Sequence, residues 1–237
     1  MRTQFPALGD PTDHFAFLAV VYELARHYSF LFTWIINGLY YFQPGKSEWD
    51  GSDDPATSIE AVSQAQGADP QFVKQQILEL KDVAYKEIDL VRLYDSLPPV
   101  KSEEILVGRT FDGKILRTNA SVLDIAEWFA IRPLSYFGIS WGKRYRTKHV
   151  GDPLLFNWAK KIYIPNPSCG SVGVCDITWR GVNTGTMSYD NQVWNDYFRI
   201  LEHDPSTDRL VLLGAWVARA KVGGWFTLTW DPSTPTN

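Results

Sequence analysis

The sequence changes character at Leu97-Pro98-Pro99, and this change limits the possible folds more than any other feature. After the two prolines, short runs of β-branched and aromatic residues are separated by glycine, asparagine, aspartate and proline. This pattern is typical of antiparallel strands joined by hairpins. The predicted strands are 105–111, 114–118, 161–164, 173–180, 184–189, 196–202, 210–218 and 224–230, with one short helix at 122–129.

Before the two prolines, the sequence is typical of helices. Asp10-Pro11, Asp54-Pro55 and Asp69-Pro70 each combine a capping carboxylate with a proline suited to the first helical position. The third predicted helix has apolar residues at three- and four-residue steps, which predicts one core-facing stripe. The stripe consists of Val73, Ile77, Leu80, Ala84, Ile88 and Val91. The expected fold class is α+β, with a helical N-terminal region, 1–95, packed on an antiparallel, lipocalin-like β barrel.

The most apolar segment, 15–42, has to be weighed as a membrane span. Glu23, Arg26 and His27 interrupt it, and the uncharged remainder is shorter than the roughly 20 residues that a spanning helix needs. We therefore expect buried helices and no membrane partner. These N-terminal helices are predicted to form either a lid over the β region or a homodimer contact. Because the first residues lack the pattern of a secretory signal, we expect a cytoplasmic protein.

Charge and motifs exclude several classes of function. The formal net charge of −4 gives no basic surface for nucleic acid, so no nucleic-acid partner is expected. The four histidines are scattered, and none has a second strong ligand at a recognised spacing. Phosphate-binding, dinucleotide-binding and nucleophile-elbow motifs do not occur in the sequence. We therefore expect neither a metal nor another cofactor.

Several blocks of sequence resemble a known family. Tyr94-Asp95-Ser96-Leu97-Pro98-Pro99-Val100, Gly108 to Gly113, Trp141 to Tyr145 and Asp152 to Phe156 resemble the GXWXG domain. Four later blocks are similar to the companion domain of unknown function that follows it, at 179–182, 186–190, 196–199 and 213–214. The resemblance implies two regions, 96–168 and 169–237, that together form one β domain. It implies no reaction, and Phe111 stands where the family has its naming tryptophan.

Aromatic residues make up 14 % of the chain and are interleaved with a few polar groups. Large rings leave irregular cavities when a small barrel closes over them, which favours a pocket for an apolar small molecule. A dense aromatic core without a cavity would have the same composition. The predicted substrate-binding residues are Trp141, Tyr145, Phe156, Trp179, Met187, Trp194, Phe198 and Trp216.

Any chemistry in such a pocket has to come from side chains that hold or move protons. The candidate catalytic residues are Lys143, His149, Tyr189, Asp190 and Asp196. Strand alternation predicts that Met187 and Tyr189 share one face, and that Asp196 and Phe198 share one face. A carboxylate beside aromatic walls would have a raised pKa and could serve as an acid near neutral pH.

Each candidate also has a purely structural interpretation. Asp190-Asn191 is typical of a turn, Lys143-Arg144 of solvated charge, and Asp196 with Arg199 of an ion pair.

Two functional hypotheses follow from these patterns. In the first, the protein is a cofactor-independent cyclase or isomerase that catalyses a cycloaddition or rearrangement of an apolar natural-product intermediate. In the second, the same pocket binds and carries an apolar small molecule without catalysis, as a lipocalin-like protein does. A third hypothesis is an interaction protein whose apolar first helix contacts a partner or a membrane surface.

Overall fold

The computed structural model describes residues 67–233, with gaps at 119–120, 127, 129–130, 137, 159–161, 166–171, 190–193 and 219–220. Two helices, α1 (Pro70–Leu78) and α2 (Glu87–Ser96), precede a π-helical turn, Ser102–Leu106. Two short helices, α3 (Val122–Ala126) and α4 (Arg132–Ser135), follow the first strand. The helices predicted after Asp10 and Asp54, and their role as lid or dimer contact, lie outside the described residues.

Within the described residues, nine strands form one antiparallel sheet in the order β4-β3-β2-β1-β9-β8-β7-β6-β5. They are β1 (Thr110–Leu116), β2 (Ile139–Thr147), β3 (Val150–Trp158), β4 (Ile162–Pro165), β5 (Val172–Trp179), β6 (Val182–Tyr189), β7 (Trp194–Asp204), β8 (Arg209–Ala218) and β9 (Lys221–Trp230). The prediction of a sheet-rich, antiparallel C-terminal portion with few helices is confirmed.

The third predicted helix begins as expected but ends early. The Asp69 carboxylate accepts a hydrogen bond from the Gln71 amide at 3.0 Å, and Pro70 occupies the first turn. The prediction of one continuous stripe to Val91 is wrong, because Leu80 adopts a left-handed backbone with φ 55° and is exposed. A helix cannot continue through such a residue, so α2 starts anew at Glu87.

The predicted strands also need corrections. The predicted strand 105–111 begins instead as the π-helical turn, and the predicted separate strand 114–118 belongs to one strand, β1, which passes through Asp112-Gly113. The predicted helix 122–129 contains α3, Val122–Ala126, and Trp128 is π-helical, whereas Glu127 and Phe129 lie outside the described residues. Strands β2 and β3 were not predicted, because Gly142-Lys143 in β2 and Gly151-Asp152-Pro153 in β3 interrupt the apolar alternation by which strands are recognised.

The sheet is strongly curved. Strands β2 and β7 have β1, β9 and β8 between them, so a flat sheet would hold them about 19 Å apart. Yet Lys143 Nζ lies 2.9 Å from Asp196 Oδ2. Near the sheet's two ends, the Val174 amide of β5 donates to the Lys148 carbonyl of the β2–β3 turn at 2.8 Å. We call the concave side, where β2 and β7 meet, the interior face.

Apolar side chains pack on both sides of the sheet. The interior face carries one core cluster, which includes Phe111, Trp141, Met187, Phe198 and Phe226. The opposite side, which we call the helix-covered face, packs against α1 and α2. Described residues make up each cluster, so side chains on the two faces of the same strand can be told apart.

Two glycines make room for rings on the interior face. Gly113 lies opposite Trp141 in the β1–β2 register, and a Cβ there would be 2.5 Å from the indole ring. Gly214 lies opposite Phe226, and its Cβ would be 2.5 Å from that ring. The two rings therefore lie flat across the neighbouring strands, and the aromatic lining depends on glycine at both positions.

Candidate functional site

Three of the predicted catalytic side chains meet on the interior face. Lys143 comes from β2, Tyr189 from β6 and Asp196 from β7. The alternation that places Tyr189 with Met187, and Asp196 with Phe198, is confirmed, because all four side chains lie on the interior face. We call Lys143, Tyr189 and Asp196 the polar cluster.

Hydrogen bonds hold the polar cluster together. Lys143 Nζ donates to the Pro153 carbonyl at 2.8 Å, to the Tyr189 hydroxyl at 3.0 Å and to Asp196 Oδ2 at 2.9 Å. The Tyr189 hydroxyl in turn donates to Asp196 Oδ2 at 3.0 Å. An ammonium group has three N–H donors, and each of the three has an acceptor here. This geometry fits a charged lysine and fixes the position of Oδ2.

Two of the structural interpretations are wrong. Lys143 is not a solvated charge, since only 4 % of the residue is exposed. Asp196 is not paired with Arg199, because successive residues of β7 alternate between the two faces. The Arg199 guanidinium lies on the helix-covered face, 5.0 Å from the centre of the Tyr94 ring. Asp196 is paired with Lys143, a partner remote in sequence.

Burial sets the acid–base character of Asp196. Removal from water raises the pKa of this carboxyl above its ordinary value, and the Lys143 ammonium and the Tyr189 hydroxyl offset only part of that rise. Both of these partners contact the same oxygen, Oδ2. Asp196 is therefore a buried, unusually basic carboxylate with one oxygen still able to accept a proton.

Aromatic rings surround the polar cluster. The centres of the Phe226, Tyr189 and Trp141 rings lie 5.4, 5.5 and 6.0 Å from Lys143 Nζ. The Trp194 ring packs edge-on against Tyr189 at 5.5 Å and against Trp216 at 5.2 Å. These rings exclude water and strengthen the electrostatic interactions inside the cluster.

Tyr145 lies beside the polar cluster with its hydroxyl group unpaired. The residue is fully buried, and its ring packs edge-on against Phe111 at 5.9 Å and Phe198 at 6.4 Å. Within the described residues, the hydroxyl has no hydrogen-bond partner. Burial raises the pKa of Tyr145 well above its ordinary value, and the negative charge of Asp196 adds to the rise. The hydroxyl is therefore a proton-bearing donor at all physiological pH values.

The structure distributes the other predicted site residues as follows. Trp141, Tyr145, Met187, Trp194, Phe198 and Trp216 belong to the interior core, and half-buried Phe156 lies opposite Trp141 in the β2–β3 register. Trp179 lies instead on the helix-covered face, stacked on Tyr197 at 4.6 Å. His149 is exposed in the β2–β3 turn, apart from the polar cluster, and Asp190 is outside the described residues.

Two members of the site were not predicted from the sequence. The Pro153 carbonyl is a backbone acceptor, and no side-chain pattern could have indicated it. Phe226 could have been found, because it shares β9 with Leu228 at a spacing of two residues and both face the interior core.

The described residues contain no group of three or more His, Cys, Asp or Glu side chains that could hold a metal ion. Among these residues, no helix has both the length and the apolar character needed to cross a membrane.

Comparison with known proteins shows the fold alone. No protein-family model and no curated protein matches the chain. The crystal structure of a protein from Thermomonospora curvata is similar, with a TM-score of 0.52 and 22 % sequence identity. The similarity covers 68 % of this chain and 96 % of the Thermomonospora curvata protein, so nearly all of that protein has a similar sheet-rich fold.

Proposed function

We propose that the curved sheet closes as a barrel around an apolar small molecule, and that the protein is a cofactor-independent isomerase or cyclase. The observation that carries this proposal is the buried Asp196 carboxylate, held at Oδ2 by Lys143 and Tyr189 and open at Oδ1. A carboxylate with a raised pKa inside aromatic walls is suited to proton transfer. We infer that the substrate is a natural-product intermediate with a large apolar surface.

Each residue of the polar cluster has a role in this proposal. Asp196 takes a proton from the bound molecule and returns it at another position. Lys143 keeps the carboxylate in place and balances its charge, and it is fixed itself by the Pro153 carbonyl. Tyr189 bridges the ammonium and the carboxylate, so that the position of Oδ2 is unchanged when Oδ1 is protonated. The surrounding rings bind the substrate and exclude water.

The test is turnover of a panel of apolar candidate substrates by purified protein in deuterated water. Wild-type protein should introduce deuterium or form an isomer, and Asp196→Asn should abolish both. Asp152→Asn is the matched control, because Asp152 pairs with Arg144 and Arg146 outside the polar cluster, at 2.8 and 3.0 Å. Asp152→Asn should retain the activity. If wild-type rates equal those of buffer across the panel, the enzyme hypothesis is abandoned.

A carrier without catalysis is the second candidate. It is favoured by one observation, namely that all three Lys143 donors and the Tyr189 hydroxyl are already satisfied by protein groups. On this hypothesis the polar cluster stabilises the interior and the rings bind the ligand. Asp196→Asn would then change ligand affinity while wild-type protein leaves every bound molecule chemically unaltered.

The resemblance to the GXWXG domain and its companion domain is part of the proposal. It is supported by Gly113, which accommodates the Trp141 ring; Phe111, fully buried on the interior face, stands where the family has tryptophan. A homodimer formed through the N-terminal region is likewise proposed. Light scattering on the full chain and on a chain lacking residues 1–66 would test it, because only the full chain should dimerise.

A further inference from the structure

We propose that the ligand of the interior face is a neutral ketone, whose oxygen accepts a hydrogen bond from the Tyr145 hydroxyl while Asp196 Oδ1 takes a proton from the adjacent carbon. This inference rests on the proposed function and specifies the substrate class.

The positions of Tyr145 and Asp196 follow from the two strands. Tyr145 comes two residues after Lys143 on β2, and Phe198 comes two residues after Asp196 on β7, so each pair shares a face. Lys143 contacts Asp196 at 2.9 Å, and the Tyr145 and Phe198 ring centres lie 6.4 Å apart. Tyr145 and the Asp196 carboxylate therefore lie on the same interior face, on two strands whose side chains contact each other there.

The two groups are complementary in their hydrogen bonding. The Tyr145 hydroxyl is a buried donor without a hydrogen-bond partner among the described residues. Lys143 and Tyr189 both contact Asp196 at Oδ2, which leaves Oδ1 available as an acceptor. Buried polar groups are nearly always paired in folded proteins, so the Tyr145 hydroxyl calls for an explanation. A ligand that offers one acceptor and one transferable proton would satisfy both.

Charge restricts the ligand to a neutral molecule. A carboxylate ligand would place a second negative charge beside Asp196, and an amine would place a second positive charge beside Lys143. A hydrocarbon would leave the Tyr145 hydroxyl unpaired. An apolar ketone avoids all three costs, because its oxygen pairs with Tyr145 and the acidic hydrogens on its α carbon lie next to the oxygen.

The proton transfer balances without another reactant. Asp196 Oδ1 removes a proton from the α carbon, and the electrons of the C–H bond form a new C=C bond. The carbonyl π electrons move to the oxygen, where the Tyr145 hydroxyl stabilises the developing negative charge. In a β,γ-unsaturated ketone, the proton then returns from Asp196 to the γ carbon, which gives the conjugated isomer.

The test compares a ketone with an alkene of the same shape, 2-acetylnaphthalene and 2-isopropenylnaphthalene, by calorimetry. Wild-type protein should bind the ketone more tightly, and Tyr145→Phe should weaken ketone binding about tenfold with no change for the alkene. Tyr85→Phe is the matched control, since Tyr85 also has a buried hydroxyl without a partner in the described residues, but on the helix-covered face. It should change the affinity of neither probe. Both variants should melt at or above the wild-type temperature.

Exchange of the acetyl methyl protons in deuterated water gives a second measurement. Wild-type protein should accelerate this exchange, Tyr145→Phe should slow it, and Asp196→Asn should abolish it. The inference would be overturned if wild-type protein bound ketone and alkene equally well, or if Tyr145→Phe lost the same affinity for both probes. Either result would still agree with an interior that binds apolar molecules. If neither probe binds, the proposed function fails together with the inference.

Discussion

Removing Lys143 should destabilise the protein in a way that depends on pH, because it leaves a buried carboxylate without its counter-ion. In Lys143→Met, the methionine replaces the apolar stem of the lysine, but Asp196 keeps only the Tyr189 hydroxyl as a partner. Breaking a buried ion pair by removing one partner costs about 3–5 kcal/mol. The folded protein can limit this cost by holding Asp196 in its protonated form.

The pH dependence follows from the direction of the pKa change. The folded-state pKa of Asp196 is already raised, and loss of the Lys143 ammonium raises it further. Protonating an ordinary aspartate at pH 7 costs about 4 kcal/mol, at 1.36 kcal/mol for each of about three pH units. This value limits the part of the destabilisation at pH 7 that comes from the unpaired charge. The difference from wild type should shrink as the pH falls towards about 4, where the unfolded chain also binds the proton.

Asp196→Asn should behave differently. The amide oxygen can replace the carboxylate as an acceptor for Lys143, and the Pro153 carbonyl and the Tyr189 hydroxyl still accept the other two N–H bonds. The free energy of unfolding should fall at pH 7, because the buried ammonium loses its counter-ion, but by less than in Lys143→Met, because each of its N–H donors keeps an acceptor. The double variant Lys143→Met/Asp196→Asn should regain most of the stability lost in Lys143→Met, because no buried charge remains.

Urea denaturation followed by circular dichroism at several pH values between 4 and 8 measures these differences. In thermal denaturation at pH 7, Lys143→Met should lower the melting temperature by about 6–20 °C, since each of the about 3–5 kcal/mol lost corresponds to about 2–4 °C in a domain of this size. The reasoning is refuted if Lys143→Met costs the same at pH 4 and pH 7. A cost below about 1 kcal/mol at pH 7 would show that Asp196 is not buried as described.

Three further substitutions test separate parts of the structure. Gly113→Ala should lower the free energy of unfolding by about 1–3 kcal/mol and change the near-ultraviolet dichroism of Trp141, because the new Cβ would lie 2.5 Å from its ring. The control Gly173→Ala, whose Cβ would lie 3.6 Å from the nearest atom, should change neither the stability nor the dichroism in this way. The free energy of unfolding of Arg199→Met in urea should stay within about 1 kcal/mol of wild type, because Nε and Nη2 of this buried guanidinium have no hydrogen-bond partner in the described chain. A larger loss would contradict this expectation. Asp204→Ala should be less stable than wild type at pH 7, because hydrogen bonds lower the pKa of this exposed carboxyl to about 2. The difference in stability should disappear as the pH falls from about 4 to about 2 in an acid titration.

The sequence predicted the strands that alternate regularly. The predicted strand 173–180 differs from β5, Val172–Trp179, by one residue at each end. Alternation also assigned Tyr189 and Asp196 to the faces on which they lie. The capping carboxylate and the proline at Asp69-Pro70 correctly predicted the start of α1. These features depend on neighbouring residues, so a local pattern is sufficient to find them.

The features that the sequence did not predict depend on distant parts of the chain. Lys143 belongs to a strand that lacks regular alternation, and its partner Asp196 comes from a strand that the sheet order separates from it by three others. Only the curvature of the sheet brings the two together, and local patterns carry no information on curvature. Trp179 was predicted to line the pocket because it is aromatic, but it lies on the helix-covered face. A core and a pocket wall use the same kinds of residue.

The most direct test of the proposed function is mass spectrometry of the compounds that the protein retains from an organic extract of its source organism. Wild-type protein and Asp196→Asn would each be incubated with the extract, washed and denatured to release bound molecules. Asp196→Asn should retain an apolar ketone unchanged, whereas the wild-type sample should contain its isomer. Recovery of no compound from either protein would contradict the proposed function and indicate that the rings around the polar cluster form a closed core.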